Sequence, residues 1–439
     1  MDAAAESNVI DPRRQREFAR SLVVRLREAG FEAYWAGGCV RDQLLGIEPK
    51  DYDIATSARP RQVRRLFRKE RTVAVGAAFG VIVVLGPPGA GQVEVATFRR
   101  DKEYLDGRRP SGVEYCGAEE DAKRRDFTIN GLFYDPVEER VLDFVGGRED
   151  LKRGLIRAIG DPRERFSEDK LRLVRAVRFA ARFGFAIEEN TYRAIVEMAD
   201  QLPVVSAERI TAELERILTD PNRRRGLELL YATGLLPHIA PELTPSSPDD
   251  PWWQETSAVL EKLDAPSFPA ALAAWARGKL DADRLAAFCR RRKLSNAQTA
   301  RAVFILENLG TIERASAKPW SVVQPVLANE AADELLDLAE AVCRVRGESL
   351  ADVAWCREKR RLPPEVLDPP ALLDGGDLIR EGMRPGPLFG ELLAAVRRAQ
   401  LDGELSTKEE ALAFARRLAL EREAARNAAT KGDHDGQEN

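Results

Sequence analysis

The sequence predicts an α+β chain, a mixed sheet with helices packed against it followed by an all-helical remainder. Two observations carry this. Up to about residue 161, short β-branched runs alternate with helical stretches. Beyond it, Leu, Ala and Arg recur at helical spacing and β-branched runs nearly vanish. The 439 residues make two to four folding units at roughly 100–200 residues each.

The elements follow in order. Asp11-Pro12 reads as an N-cap with Pro at the first helical position, Phe18, Leu22 and Leu26 give an apolar stripe, and Gly30 ends the helix. Residues 31–36 read as a strand running into Gly37-Gly38. A short helix follows over 40–45, a strand over 51–55 and a helix over 57–69, with Pro60 in its first turn. Strands are predicted near 71–75, 81–85 and 93–98. Residues 72–93 carry no charge and are long enough to span a bilayer. Five glycines, Pro87-Pro88 and a short β-branched run argue instead for two buried strands and a turn. Helices are predicted over 167–183, 189–202, 207–218 and 223–233. A Pro-rich loop at 237–251 marks a boundary, and further helices run to about 347. The last helix opens at Ser406-x-x-Glu409, a capping-box pattern. After about 427 the chain is polar and free of aromatics, a disordered composition.

Composition excludes several functions. Two histidines, His238 and His434, exclude His-rich metal sites and most histidine acid–base chemistry. Five scattered cysteines without a CxxC pair are neither a disulfide scaffold nor a zinc ribbon, and fit a reducing cytoplasm. The net charge of -4 argues against a generic nucleic-acid coat and leaves room for a local basic groove. No apolar targeting segment is visible at residues 1–8.

Three clusters carry chemistry. The first is Gly37-Gly38-Cys39-Val40-Arg41-Asp42 followed by Asp51-Tyr52-Asp53. Alone, Gly-Gly is a tight strand-to-helix turn. With the following helix N-terminus and Arg41, it also lets backbone N–H groups approach a triphosphate. Asp51 and Asp53 alternate on a predicted strand, which places both carboxylates on one face, where they repel unless a cation sits between them. Such hard oxygen ligands suit Mg2+. Glu94, on another predicted strand, either faces solvent or is a third carboxylate beside the pair. The second cluster is Arg124-Arg125-Asp126-Phe127-Thr128-Ile129-Asn130, either a salt-bridged turn or an Arg on a triphosphate with Asn130 near the sugar. In the third, Arg172, Arg175, Arg178 and Arg182 share one side of a helix, with Leu173, Val174, Val177, Ala180 and Ala181 opposite. Asp169 precedes Arg172 by three residues. An acceptor and a donor fork can together read the edge of a base.

In order and spacing, these clusters resemble the tRNA nucleotidyltransferase/poly(A) polymerase family, whose members include CCA-adding enzymes. The resemblance is close over about 34–185 and returns at 373–418, in Asp374-Gly375-Gly376-Asp377-Leu378 and Pro385-Gly386-Pro387-Leu388-Phe389-Gly390. The stretch 235–370 matches loosely. The resemblance implies a polymerase-β-type nucleotidyltransferase head (1–155), a helical neck with a nucleotide-selecting helix (156–235), a helical body (236–347), a helical RNA-binding tail (348–426) and a disordered end (427–439). It further implies that Asp51 and Asp53 bind two Mg2+ ions. The RNA 3′-hydroxyl would attack the α-phosphate of CTP or ATP and release pyrophosphate. By motif position, Gly38 and Arg41 would contact the triphosphate, with Arg125 beside it. Asp169 and Arg172 would select the base, with Arg175 and Arg178 as remaining nucleotide ligands. Residues 99–110 resemble the loop that such enzymes use to switch to ATP, which favours A addition over CC addition alone. The partner implied is tRNA, at its 3′ end and its acceptor and elbow region.

The departures matter too. Some relatives carry an HD phosphohydrolase after the neck. Here the corresponding stretch, Ala271-Leu272-Ala273-Ala274-Trp275-Ala276-Arg277, has no His-Asp pair, so that activity is not expected. Gly131 stands where Ala is usual, a change expected to matter little. The Val75-Gly76-Ala77-Ala78-Phe79-Gly80-Val81 segment looks like the CCA-adding pattern and lacks the basic sequence of the poly(A) branch. Poly(A) polymerase, partial CC- or A-adding enzymes and a non-catalytic RNA- or nucleotide-binding protein are the alternatives. A Rossmann oxidoreductase is excluded, because no G-x-G-x-x-G follows the first strand. The basic runs 290–293 and 359–361 are either RNA contacts or solvated faces.

Overall fold

The computed structural model describes residues 10–76, 80–101 and 113–432. The chain forms two compact units, residues 1–246 with 291–293, and the remainder.

The first unit opens with α1 (Pro12–Glu28). The Asp11 carboxylate accepts hydrogen bonds from the backbone N–H groups of Arg13 and Arg14, as its N-cap position predicts. Strands β1 (Ala33–Ala36), β2 (Asp53–Thr56), β3 (Thr72–Gly76), β4 (Val81–Leu85) and β5 (Gln92–Thr97) follow, interrupted by α2 (Gly38–Leu44) and α3 (Pro60–Leu66). A two-stranded ribbon, β6 (Arg99–Asp101) with β7 (Val113–Tyr115), leads into α4 (Ala118–Lys123). Strands β8 (Phe133–Asp135) and β9 (Arg140–Leu142) then complete a seven-stranded sheet of order β3-β4-β5-β2-β1-β8-β9. β2 and β5 are parallel, and their register sets Asp53 opposite Glu94.

Alternation along the strands divides the core in two. Trp35, Ile54, Ile82, Val84 and Val95 pack with Leu22, Val23 and Leu26 of α1 and Val63 of α3. Their sequence neighbours Ala36 and Ala55 pack on the other face, with Phe98 and Phe133. The uncharged stretch 72–93 thus supplies strands. Among the described residues, no helix is long and apolar enough to cross a membrane.

After α5 (Gly147–Arg153) come α6 (Pro162–Glu168), α7 (Leu171–Phe183), α8 (Glu189–Met198), α9 (Ala207–Leu218) and α10 (Arg223–Ala232). Leu173, Val174, Val177 and Ala180 of α7 are fully buried. The second unit is all-helical. Its helix Phe268–Ala276 is buried on every side, which explains its uninterrupted apolar sequence. A separate cluster of Leu378, Leu392, Val396, Ala411 and Ala415 holds helices Pro387–Leu401 and Lys408–Gly432 together.

Several expectations are corrected. The strand expected over 51–55 starts at Asp53, and Asp51 lies in irregular chain before it. The helix expected over 167–183 is two helices, broken at Asp169-Lys170. The helix expected over 57–69 ends at Leu66 and a 3-10 turn, Lys69–Arg71, follows. The last helix is capped one residue later than expected. Thr407 Oγ1 accepts from Glu410 N at 3.2 Å, and Glu410 accepts from the Thr407 and Ser406 N–H groups at 3.1 and 2.8 Å. That helix continues past 427 to Gly432. Strands β8 and β9 were not anticipated, because three residues are too few to show alternation.

Candidate active site

Where β1 ends, Gly37 takes φ 71° and ψ -122° and N-caps α2. Residues with side chains rarely hold that conformation. A Cβ there would also lie 2.9 Å from the Arg125 guanidinium. The glycine therefore gives both the turn and the close approach of Arg125 to the start of α2. Arg125 is itself held by Asp121 at 3.0 Å and lies over the Phe133 ring at 5.0 Å. Gly131 lies four positions before Asp135 of β8. A Cβ there would come within 2.7 Å of Val145.

The carboxylates stand at the same end of the sheet. Asp53 opens onto a cleft of about 930 Å³; Asp51 and Glu94 do not line it. Asp53 is exposed on the cleft side, yet protein surrounds its carboxyl closely. That burial, then the charge of Glu94 and more weakly that of Asp51, push its pKa up to about 6 against the opposing pull of Arg125. Among the described residues, no three His, Cys, Asp or Glu side chains gather into a preformed metal cage. The donor set still fits a hard divalent cation. Mg2+ is commonly held by one or two carboxylates and takes its other ligands from water and substrate phosphates. A carboxylate whose charge is destabilised by its neighbours gains from such a cation.

The opposite wall is α7. Its arginines are not a solvated face, since Arg172 and Arg178 are buried and all four of the stripe line the cleft. Each is fixed by a partner. Arg172 donates to Glu168, to the Arg165 carbonyl at 2.8 Å and to the Arg124 carbonyl at 3.2 Å. Arg175 donates to Asp126 at 2.6 and 2.9 Å. Arg178 pairs with the buried Glu213 of α9, and burial lowers its pKa to about 10 despite that partner. Arg182 lies 3.8 Å from Asp42.

Asp126 is the hub. Burial alone would raise its pKa. Arg175 beside it, then the hydrogen bond from Asn130, overcome this and hold it at about 2. Asn130 Nδ2 donates to Asp126 at 3.0 Å, and its Oδ1 accepts from Arg41 at 2.6 Å. Arg41 donates to Asp42 at 2.8 and 2.6 Å and lies against the rings of Phe179 and Phe183, 5.3 and 4.7 Å from their centroids. Burial lowers the pKa of Arg41, against Asp42. One chain of hydrogen bonds thus runs from α7 through the turn Thr128–Asn130 to α2.

Asp169 explains the break between α6 and α7. Its backbone is extended, and its Oδ1 accepts from the Leu171 N–H at 3.1 Å, so it caps α7 rather than riding on it. Its carboxylate is gripped by both ends of Arg209 from α9, at 3.1 and 2.7 Å. Among the described residues, nine arginines and Lys50 line the cleft against four aspartates, a lining suited to a triphosphate.

The structure therefore brings Gly38, Arg41, Asp53, Arg125, Asn130, Asp169, Arg172, Arg175 and Arg178 to one cleft. Asp126, Glu168, Arg209 and Glu213 position these residues, and sequence reasoning missed them as such. Arg209 and Glu213 are four apart on one helix face, the only local signal; their partners lie 40 and 35 positions away. Residues 102–110 of the expected switching loop and 77–79 of the 75–81 segment lie outside the described residues.

Known proteins share this architecture. Residues 33–157 match the poly A polymerase head domain, 184–246 the probable RNA and SrmB-binding site of polymerase A, and 271–415 a putative tRNA nucleotidyltransferase domain 2. A CCA-adding enzyme of Limosilactobacillus fermentum is 36% identical over 406 residues, covering 90% of this chain and 95% of that protein. One of Streptococcus pneumoniae is 33% identical, covering 90% and 96%. The crystal structure of the Bacillus stearothermophilus CCA-adding enzyme in complex with CTP superposes with a TM-score of 0.76 at 32% identity, over 93% of this chain and 98% of that one. With relatives of this identity covered almost end to end, the chain belongs to the tRNA nucleotidyltransferase/poly(A) polymerase family, with the bacterial CCA-adding enzymes.

Proposed function

We propose that this protein adds or repairs the 3′-terminal CCA of tRNA from CTP and ATP without a nucleic-acid template. One observation carries the reading: Asp53, the Gly37-Gly38 turn and the Asp169–Arg172 pair all face a single arginine-lined cleft. The full-length likeness to CCA-adding enzymes, one solved with CTP, supports it.

The chemistry follows from the lining. Arg41, Arg125, Arg175 and Arg178 would neutralise and orient the triphosphate, and the N-terminus of α2 offers it backbone N–H groups. Asp51 and Asp53 would hold Mg2+, which when bound supplies stabilisation of charge on the reacting phosphate oxygens. The RNA 3′-hydroxyl releases its proton to solvent as its oxygen forms a bond to the α-phosphorus, the bond from that phosphorus to the bridging oxygen of the β-phosphate breaks, and pyrophosphate leaves. Base choice follows from hydrogen-bond polarity. Cytosine and adenine each present an exocyclic amine donor beside a ring-nitrogen acceptor. The Asp169 carboxylate accepts from the first and the Arg172 guanidinium donates to the second. Uracil and guanine present the reverse pattern there and leave both protein groups unpaired.

Glu94 reads as a neighbour that tunes Asp53 across the ladder. Head, neck, body and tail divide near residues 155, 235 and 347; the first two boundaries lie near the ends of the matched segments 33–157 and 184–246, whereas the segment 271–415 runs across the third. Five cysteines without a disulfide fit a cytoplasmic enzyme.

The test offers tRNA lacking its end, tRNA-C, tRNA-CC and an unstructured RNA, each with CTP, ATP or both. The reading requires stepwise C, C, A and then a stop. Long A tails on unstructured RNA would reassign the protein as a poly(A) polymerase, and arrest after CC or failure to add C would make it a partial enzyme.

A further inference from the structure

One strongly charged surface of the head has no part in this chemistry. Residues 59–71 hold seven Lys or Arg and one acid, Glu70, in a chain whose net charge is -4. They form α3 and the turn Lys69–Arg71. Val63 and Phe67 are buried in the sheet core, which turns the cations outward; Arg61, Arg65, Arg68, Lys69 and Arg71 are all exposed. Ion pairs fix most arginines of the cleft, but none joins these five side chains to a carboxylate among the described residues. The buried Nε of Arg64 has no hydrogen-bond partner either. Like charges held together without counter-ions repel, and a polyanion relieves that repulsion.

Position says which polyanion. The ladder registers set Val73, Val83, Glu94 and Asp53 in one row across four strands. Arg71 is two residues before Val73, so the basic turn ends at the same end of the sheet as Asp53. β3 is the outermost strand of the sheet among the described residues. α3 packs on the sheet face that carries Ile54, opposite the face of Ala55 and Asp53, so an RNA strand reaching it passes round the β3 edge. Along the row, three strand spacings of about 4.8 Å separate the two ends by at least about 14 Å. That is about four phosphates of one nucleic-acid strand, at ~3.4 Å each. An anionic membrane fits less well, because Val63 and Phe67 are buried and Leu66 is packed partly against the same core, which leaves this segment no large exposed apolar side chain to insert.

We propose that the 61–71 surface binds the phosphate backbone of the RNA substrate a few nucleotides from the 3′-hydroxyl that reacts in the cleft. This rests on the reading of the protein as an RNA-extending enzyme. The surface holds the strand by charge, reads no sequence, and acts on RNA affinity rather than on nucleotide choice.

The test combines Arg61→Gln, Arg65→Gln and Lys69→Gln. Binding of tRNA lacking its CCA end is followed by fluorescence anisotropy from 50 to 200 mM salt, next to the wild type. The expected result is a plot of log affinity against log salt shallower by about 2 to 3, since each lost phosphate contact removes about 0.9. Affinity at low salt should fall at least tenfold, with the KM for CTP and the thermal midpoint unchanged. The Arg61→Lys, Arg65→Lys variant, which keeps the charge, should bind like the wild type. An unchanged slope, a loss in the charge-retaining variant as well, or a loss confined to phosphatidylserine vesicles would overturn the proposal. Incorporation of CTP and ATP by the wild type is measured in parallel. Its absence would remove the enzymatic reading, while the salt slope would still report on the surface.

Discussion

Arg175 and Asp126 meet at 2.6 Å between α7 and the turn that follows α4, and this ion pair ties α7 to the head. Asp126 is buried, and its other oxygen accepts from Asn130. Removing Arg175 would leave a buried carboxylate without its cation. Arg175→Ala should cost about 3–5 kcal/mol of stability, as for other broken buried pairs. Arg175→Ala combined with Asp126→Asn should cost less than the two single changes added together. Denaturant unfolding of the four proteins measures this coupling, and simple additivity would contradict it.

The same pair sets a pH dependence. The pKa of Asp126 is held at about 2 in the folded protein, against about 3.9 for an unperturbed Asp. A depressed carboxyl pKa stabilises the folded state wherever the unfolded chain would be ionised. The contribution, roughly 2 kcal/mol, is complete above about pH 5 and lost as pH falls from 4 towards 2. The stability difference between wild type and Asp126→Asn should therefore be flat from pH 5 to 8 and shrink below 4. A difference that persisted unchanged at pH 2.5 would show that the carboxylate charge is not what stabilises this site.

Asp53→Ala should abolish nucleotide transfer while leaving the fold intact, because its carboxylate is repelled by Glu94 and Asp51 and contributes no stabilising ion pair. Circular dichroism and a thermal midpoint check the fold, and radiolabelled CTP incorporation checks the activity. Retained activity would remove Asp53 from the metal site.

Gly37→Ala should raise the KM for both nucleotides at least tenfold. The substitution strains a backbone at φ 71° and displaces the Arg125 guanidinium, which would lie 2.9 Å from the new Cβ. The stability loss should be about 1–2 kcal/mol. Steady-state kinetics with a thermal melt test this, and an unchanged KM would mean that Arg125 is not a triphosphate ligand.

Much of this site was legible in the sequence, because its signals are local. The period of α7 separates Leu173, Val174 and Val177 from Arg172, Arg175 and Arg178, and the structure keeps that division. The Asp11 cap and the Gly37 turn are likewise written in adjacent residues. What was not legible depends on contacts across the chain. No Gly or Pro interrupts 167–183, so helix propensity reads straight through Asp169. The break is stabilised by a local cap on Leu171 together with Arg209, 40 residues away. The counter-ions Asp126 and Glu213 were hidden for the same reason, since neither lies on the helix whose arginines it holds. Arginines that looked like a free stripe are in fact paired and aimed.

The most direct test of protein-directed nucleotide choice is incorporation of each of the four nucleoside triphosphates by wild type and Asp169→Ala on tRNA lacking its CCA end. A paired base edge contributes about 1–3 kcal/mol of discrimination. Preference for CTP and ATP over UTP and GTP should therefore fall by about ten- to a hundredfold in the variant, with Arg209→Ala showing a smaller loss in the same direction that Arg209→Lys partly restores. Unchanged selectivity in Asp169→Ala would contradict the account.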